Sequence, residues 1–164
     1  MEPNIFSTIL HFDAVLKNGL MSIWVSFSCS FNEDERGIVA VSMKNIEENS
    51  CVKFRLATVM DNDWVEINDT IPDSCHATIG FRGPGYGKHN VNLGATGCFT
   101  KSVIVHEFLH LLGVSHEQVR PDRDQYLTVN WTNMQVSKNN LFTFKLSRTS
   151  GRSAPLVLVP VLLC

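Results

Sequence analysis

Residues 103–131, VIVHEFLHLLGVSHEQVRPDRDQYLTVNW, contain three of the six histidines in the chain. His106 and His110 are four positions apart, so on an α-helix they project from the same face. Gly113 has no Cβ and can adopt the left-handed conformation that ends a helix and redirects the chain, bringing His116 back towards the same point. Because three imidazoles and one open position are typical of a catalytic zinc site, this spacing predicts one Zn²⁺ ion held by the three histidines.

Glu107 is adjacent to the first predicted ligand and is a candidate general base for a metal-activated water. The competing interpretation is an ordinary buried helix, since the segment is otherwise apolar. A single histidine on such a helix usually belongs to the core. Three histidines at this spacing with an adjacent glutamate favour the metal site instead.

The segment also carries a family resemblance. HEFLHLLGVSH, residues 106–116, has the metzincin form H-E-x-x-H-x-x-G-x-x-H. The sequence that follows resembles the astacin family, and the matching residues are Glu117, Arg120, Asp122, Arg123, Asp124 and Tyr126. The resemblance implies a zinc endopeptidase that acts on protein or peptide substrates. It also implies that Glu117 meets the freed amino terminus of the mature enzyme. The charged residues after His116 are expected to brace the turn, with a solvated charge run as the alternative.

The same resemblance predicts the domain organisation. An astacin-like peptidase domain is expected over residues 20–145, with unmatched segments at 1–19 and 146–164. The expected fold is α/β, more narrowly α+β: a metzincin-like upper lobe with a twisted, mostly β sheet, a backing helix and the zinc-binding helix. The C-terminal lobe is expected to be largely missing.

The hydrophobic pattern places the other elements. Asn32 predicts a helix start, and Val39, Met43 and Ile46 form one apolar stripe before the helix ends near Asn49. Alternating or β-prone runs predict strands at residues 20–28, 51–59, 64–67, 76–81 and 89–93. The family resemblance makes 89–93 the sheet-edge strand that would hold an extended peptide. His76 and His89 lie in predicted strands and are interpreted as ordinary polar residues rather than extra ligands.

Composition limits the classes of partner. With 164 residues, of which 44% are apolar and 18% charged, the chain suits one globular domain. A formal net charge of −2 gives no electrostatic reason to expect nucleic acid as a partner. No apolar stretch approaches the 18 residues that would predict a membrane span, and the sequence makes no prediction of oligomeric state.

The chain has five cysteines, at positions 29, 51, 75, 98 and 164, so at least one is free or pairs with another chain. The resemblance suggests a Cys75–Cys98 disulfide, worth about 3 kcal/mol by loop-closure entropy. It also pairs the counterpart of Cys51 with a distant cysteine, for which Cys164 is a weak substitute. The resemblance implies a secreted protein, although residues 1–19 lack the features of a good signal peptide. Asn68 and Asn130 begin N-x-T sequons, which matter only in the secretory pathway.

Metzincins carry a Met-turn below the zinc, and astacins have a tyrosine shortly after it that contacts the metal. No such S-x-M-H-Y segment follows His116 here, and Met134 comes too early. The sequence therefore predicts a domain cut short before the Met-turn, with zinc binding retained and proteolysis weak or absent. The alternatives are a non-catalytic zinc-containing peptide-binding protein or inactive isoform, and a fragment that does not fold stably.

Overall fold

A computed structural model describes residues 16–17, 20–81 and 85–133. These residues belong to two compact units, one ending at Val114 and one beginning at Ser115. The expected tail at 146–164 and Met134 lie outside the described residues, as does all of 1–19 except 16–17. Among the described residues, no helix has the length and apolar character needed to cross a membrane.

The first unit is built on a six-stranded mixed sheet, which agrees with the predicted α+β class. Strands β2, β4 and β6 run parallel to one another, and β3 also pairs in parallel with β2. The short strands β1 and β5 are antiparallel to their neighbours, giving the order β1-β2-β4-β6-β5. The strand bounds are Leu16–Lys17 (β1), Leu20–Phe27 (β2), Val52–Leu56 (β3), Trp64–Asn68 (β4), Cys75–Ala77 (β5) and Lys88–Leu93 (β6).

The predicted strands are confirmed, with two of them shorter than expected. Strand β2 buries Met21, Ile23 and Val25 on one face, as the period of two requires. Strand β3 ends before Thr58 because the backbone N–H and hydroxyl of that residue both donate to the Asp61 carboxylate, at 2.7 and 2.8 Å. This local turn competes with strand pairing. The predicted strand 76–81 likewise ends at Ala77.

The predicted early helix is confirmed as α1, Glu33–Glu48. Asn32 Oδ1 accepts from the Glu35 N–H and Glu35 Oε2 accepts from the Asn32 N–H, both at 2.9 Å, which forms a capping box. Val39 and Ile46 are buried in the core, so the predicted apolar stripe faces inward.

The prediction that residues 89–93 form the sheet edge is wrong. Strand β6 has neighbours on both sides, β4 in parallel and β5 antiparallel. The connection from Ala77 to Lys88 is short, and a short connection joins antiparallel neighbours, so β5 folds back beside β6 and takes the edge. The edge strand on this side of the sheet is therefore β5, Cys75–Ala77.

The end of β6 is locked to the loop before β5. Asn92 is buried, its Nδ2 donates to the Ile71 and Ser74 carbonyls at 2.8 Å each, and its Oδ1 accepts from the Ile71 N–H at 2.9 Å. Gly94 lies so close to this loop that an added Cβ would overlap the Ile71 carbonyl oxygen. The position accommodates only glycine because no side chain fits there.

The predicted Cys75–Cys98 disulfide is present, with a Cα–Cα distance of 5.6 Å. It joins the edge strand to the turn that precedes the second helix. Cys29 is a free and exposed thiol. The suggested pairing of Cys51 involves Cys164, which lies outside the described residues.

Candidate metal centre

The second helix, α2, spans Lys101–Leu111 and is anchored by apolar side chains on its inner face. Ile104, Phe108 and Leu111 are fully buried, and the Phe108 ring meets Phe54 of β3 edge to face with centroids 5.1 Å apart. This packing fixes the rotation of the helix about its axis. The positions of the polar side chains on α2 follow from that rotation.

His106 and His110 lie on one face of α2, as predicted, with ring centroids 4.5 Å apart. His106 is exposed, whereas His110 is only 8% exposed. His110 Nδ1 lies 2.7 Å from the Val114 carbonyl oxygen. Because a carbonyl only accepts, Nδ1 carries the proton and Nε2 has the lone pair that a metal requires.

Gly113 ends the helix in the predicted left-handed conformation, with φ of 95°. Its N–H donates to the His110 carbonyl at 2.8 Å, and the Val114 N–H donates to the Leu109 carbonyl at 3.0 Å. These two bonds form a Schellman motif. The same turn therefore ends α2 and places the Val114 carbonyl against the His110 ring.

The structure groups the three predicted ligands. The ligand nitrogens of His106, His110 and His116 all lie within 4.8 Å of one another, close enough to share one ion. The other two described histidines are not in this group. His76 Nδ1 lies 2.9 Å from Ser74 Oγ, and His89 is 4% exposed with its ring 4.9 Å from that of Phe81.

Glu107 is a carboxylate side chain of α2 that lies in the core, where a charged group is not expected. It is only 5% exposed, and its Oε2 has no hydrogen-bond partner among the residues that the structure describes. A buried carboxylate oxygen without a partner is unfavourable. In a site that binds a metal ion and a water, a carboxylate oxygen beside the first histidine would be left free to accept a hydrogen bond from that water. The residues present therefore fit a zinc ion.

The second unit contains the predicted charged network. The Arg120 guanidinium donates to both carboxylate oxygens of Asp122, at 3.0 and 2.9 Å, and to Glu117 at 3.0 Å. These bonds raise the pKa of Arg120 and lower the pKa of Asp122. Arg123 is buried, donates to Asp124 at 3.0 Å and stacks over the Trp131 ring.

Comparison with known proteins agrees with these motifs. Residues 19–154 match the family described as Astacin, a family of peptidases. The chain belongs to the astacin family. The match includes every element described above except β1.

Two curated astacin relatives illustrate the extent of the similarity. Zinc metalloproteinase nas-13 of Caenorhabditis elegans is 32% identical over 118 residues, which are 71% of this chain and 25% of the relative. High choriolytic enzyme 2 of Oryzias latipes is 30% identical over 138 residues, which are 84% of this chain and 47% of the relative. This astacin chain thus spans less than half the length of either relative.

A solved structure shows the same fold. High choriolytic enzyme 1, a hatching enzyme zinc-protease from Oryzias latipes (medaka), matches with a TM-score of 0.71 at 25% identity. The match covers 92% of this astacin chain and 70% of the medaka chain.

Sequence reasoning missed the groups that position the candidate ligands of this astacin. The Val114 carbonyl orients His110, and the Gly80 and Phe81 N–H groups donate to the His110 and Leu111 carbonyls at the end of α2. Backbone groups have no residue-type signature. Only the left-handed position at Gly113 gave a sequence signal for this turn.

Proposed function

We propose that this chain carries the catalytic zinc centre of an endopeptidase that hydrolyses peptide bonds in proteins. The observation that carries the proposal is the buried Glu107 Oε2, which has no hydrogen-bond partner among the described residues and lies on the helix that carries two of the three grouped histidines. The names of the relatives support it, since they are a zinc metalloproteinase and a hatching enzyme zinc-protease.

In this proposal His106, His110 and His116 hold one Zn²⁺ ion through neutral imidazole nitrogens. A zinc ion in such a site makes a water acidic enough to ionise near neutral pH and polarises a substrate carbonyl. The hydrogen bond from His110 Nδ1 to the Val114 carbonyl keeps that ring in the tautomer that binds metal. The Schellman turn at Gly113 is then a support of the site.

Glu107 is the general base in this proposal. Its Oε2 has no competing donor among the described residues, so it is available to accept a proton from the attacking water. The same oxygen then returns that proton to the leaving amine, which completes hydrolysis of the peptide bond. Burial keeps other water away from the carboxylate and holds it in one position.

The substrate in this proposal is a protein or peptide segment in extended form that pairs with the edge strand β5. Among the described strands, β5 stands at the end of the sheet order, opposite to β1. Its continuation contacts the zinc helix directly, because the Gly80 N–H donates to the His110 carbonyl at 2.9 Å. A peptide added beside β5 would thus lie on the same unit as His110.

An extracellular location is part of the same proposal. The Cys75–Cys98 disulfide fits an oxidising compartment. The choriolytic relatives from Oryzias latipes, one of them a hatching enzyme, point the same way.

The test combines metal content with cleavage. Purified full-length protein is expected to contain one zinc per chain by elemental analysis, and a chelator is expected to lower its melting temperature. Cleavage of an unstructured protein such as casein is expected to fall by about 10² to 10⁴-fold in Glu107→Gln, the range for general acid–base catalysis. Glu48→Gln, the same change at an exposed position of α1, is the matched control and keeps full activity.

Three outcomes separate the alternatives. Folded protein without stoichiometric zinc overturns the proposal. Zinc-loaded protein that does not cleave casein, or that shows only cleavage unchanged by Glu107→Gln, indicates the non-catalytic alternative. A chain with no cooperative melt, with or without zinc, corresponds to a fragment that does not fold.

A further inference from the structure

The chain contains two N-x-T sequons in described regions, and they adopt the same local geometry. In Asn68-Asp69-Thr70, the asparagine Oδ1 accepts from the threonine hydroxyl at 2.9 Å and from its N–H at 3.3 Å. In Asn130-Trp131-Thr132, the corresponding distances are 2.6 and 3.2 Å. In both sequons the threonine hydroxyl therefore contacts the side-chain amide that a glycan would join.

The two asparagines differ in burial. Asn68, at the end of β4, is only 2% exposed. Its Nδ2 donates to Glu66 Oε2 and to Asn90 Oδ1, each at 3.2 Å. Both hydrogens of this amide are thus used inside the sheet.

Asn130 lies on the surface of the second unit, and its Nδ2 makes no hydrogen bond among the described residues. Its carbonyl accepts from the Asn133 N–H at 3.2 Å, so the sequon sits in a defined turn. The neighbouring Trp131 ring stacks on the buried Arg123 guanidinium, with 5.6 Å between the guanidinium carbon and the ring centroid. The turn therefore presents the Asn130 amide outward from an anchored backbone.

We propose that Asn130 is an N-glycosylation site and that Asn68 is unmodified in the folded protein. In the transfer, Nδ2 forms a bond to C1 of a lipid-linked oligosaccharide, the bond from C1 to the lipid diphosphate breaks, and the amide loses one proton. The lipid diphosphate is the leaving group. A sugar on Asn68 Nδ2 would remove one of its two internal hydrogen bonds and has no space within the sheet.

The burial of Asn68 affects its glycosylation through the folding of the chain. Because the transfer takes place while the chain is being made, a glycan on Asn68 would exclude that chain from the folded population. A glycan on Asn130 leaves every described hydrogen bond in place. The natural occurrence of the modification rests on the extracellular location within the proposed function, whereas the choice between the two sequons rests on the geometry alone.

The test routes the full chain through the secretory pathway with an added cleavable leader in a eukaryotic host. Secreted protein is then treated with peptide N-glycosidase F in ¹⁸O-labelled water and analysed by peptide mass spectrometry. The expected result is a labelled aspartate at position 130 and unmodified asparagine at position 68. On a gel, the enzyme is expected to remove the equivalent of one glycan.

Matched variants separate glycan loss from misfolding. Thr132→Ala is expected to abolish the mobility shift, Thr132→Ser to retain it, and Thr70→Ala to leave it unchanged. An unmodified Asn130 in secreted wild-type protein overturns the proposal, as does a glycan on Asn68 of the soluble secreted form. Zinc content is measured on the same samples, so failure of the glycan proposal and failure of the zinc proposal give different results.

Discussion

Helices α1 and α2 pack in the same unit but bury different kinds of side chain. The buried positions of α1 are Val39, Ser42 and Ile46, and the one polar group among them is satisfied within the helix, since the Ser42 hydroxyl donates to the Ile38 carbonyl at 2.8 Å. Helix α2 buries Glu107 and His110 among its apolar residues. His110 finds its partner beyond the helix end, and Glu107 Oε2 has none among the described residues.

The difference separates a stability role from a functional one. A helix that serves only to cover a sheet has no reason to bury a carboxylate, because the unsatisfied group costs free energy. Helix α1 follows that rule, whereas α2 breaks it at one position. The first three predictions below test how far the two helices differ, and the fourth concerns a site outside both.

The largest expected effect is at the apolar anchor of α2. Phe108→Ala removes a fully buried ring and is expected to lower the free energy of unfolding by about 3 to 5 kcal/mol. Ile46→Val on α1 removes one methylene and is expected to cost about 0.5 to 1.5 kcal/mol. Denaturant unfolding of both variants measures the difference. Equal losses would show that α2 is not anchored through Phe108.

Glycines within α1 and just after α2 are expected to give opposite results when they are replaced by alanine. Gly113→Ala forces a Cβ into a conformation with φ of 95° and is expected to destabilise by about 1 to 2 kcal/mol. Gly37→Ala, at an exposed position of α1 where no described atom lies within 4 Å of the added Cβ, is expected to stabilise by about 0.5 to 1 kcal/mol. Thermal melts give the two signs. Stabilisation by both substitutions would contradict the role assigned to Gly113.

The helix starts should differ as well. Asn32→Ala removes the capping box of α1 and is expected to cost about 1 kcal/mol. Thr100→Ala at the start of α2 is expected to cost less, because its bond to the Val103 N–H is long, at 3.4 Å. The check is chemical denaturation of the pair. A larger loss at Thr100 would reverse this ranking.

The smallest effect is expected outside both helices, at Asp122. Arg120 lowers the pKa of this carboxyl in the folded state, so the charged form stabilises the fold. That contribution is fully present above the unfolded pKa of about 3.9 and is lost as the pH falls through the lower folded pKa. Asp122→Asn should therefore melt slightly below wild type at neutral pH, and the gap should close in acid and in high salt. A gap that widens in acid would contradict the sign of the shift.

In the first unit, the features that depend on residues close together in the chain could be predicted from the sequence. The Asn32 cap, the stripe of α1 and the helical turn at Gly113 each depend on residues close together in the chain, and all three are confirmed. Helical spacing and one glycine were sufficient to predict that the three histidines lie near one another, and their role as zinc ligands stays a prediction.

The errors arise where pairing is long-range. The β-prone sequence HNVNL at 89–93 suits an edge strand and an interior strand equally well. Its position in the sheet is therefore decided by where β5 pairs, which the sequence of the strand does not indicate. Strand β3 was predicted too long because the turn at Asp61 interrupts an otherwise regular alternation. The orphaned Glu107 oxygen also has no sequence signature, since burial depends on what packs around it.

The contact at Gly94 has a consequence for mutational tolerance. Any side chain at position 94 must displace the Ile71 carbonyl. That displacement would also move the loop before β5, which Asn92 holds by a hydrogen bond to the same carbonyl. Gly97, only three residues later, has nothing within 4 Å of an added Cβ. In a saturation library, position 94 should therefore return glycine alone, while position 97 should accept many residues, although the two glycines look interchangeable in the sequence.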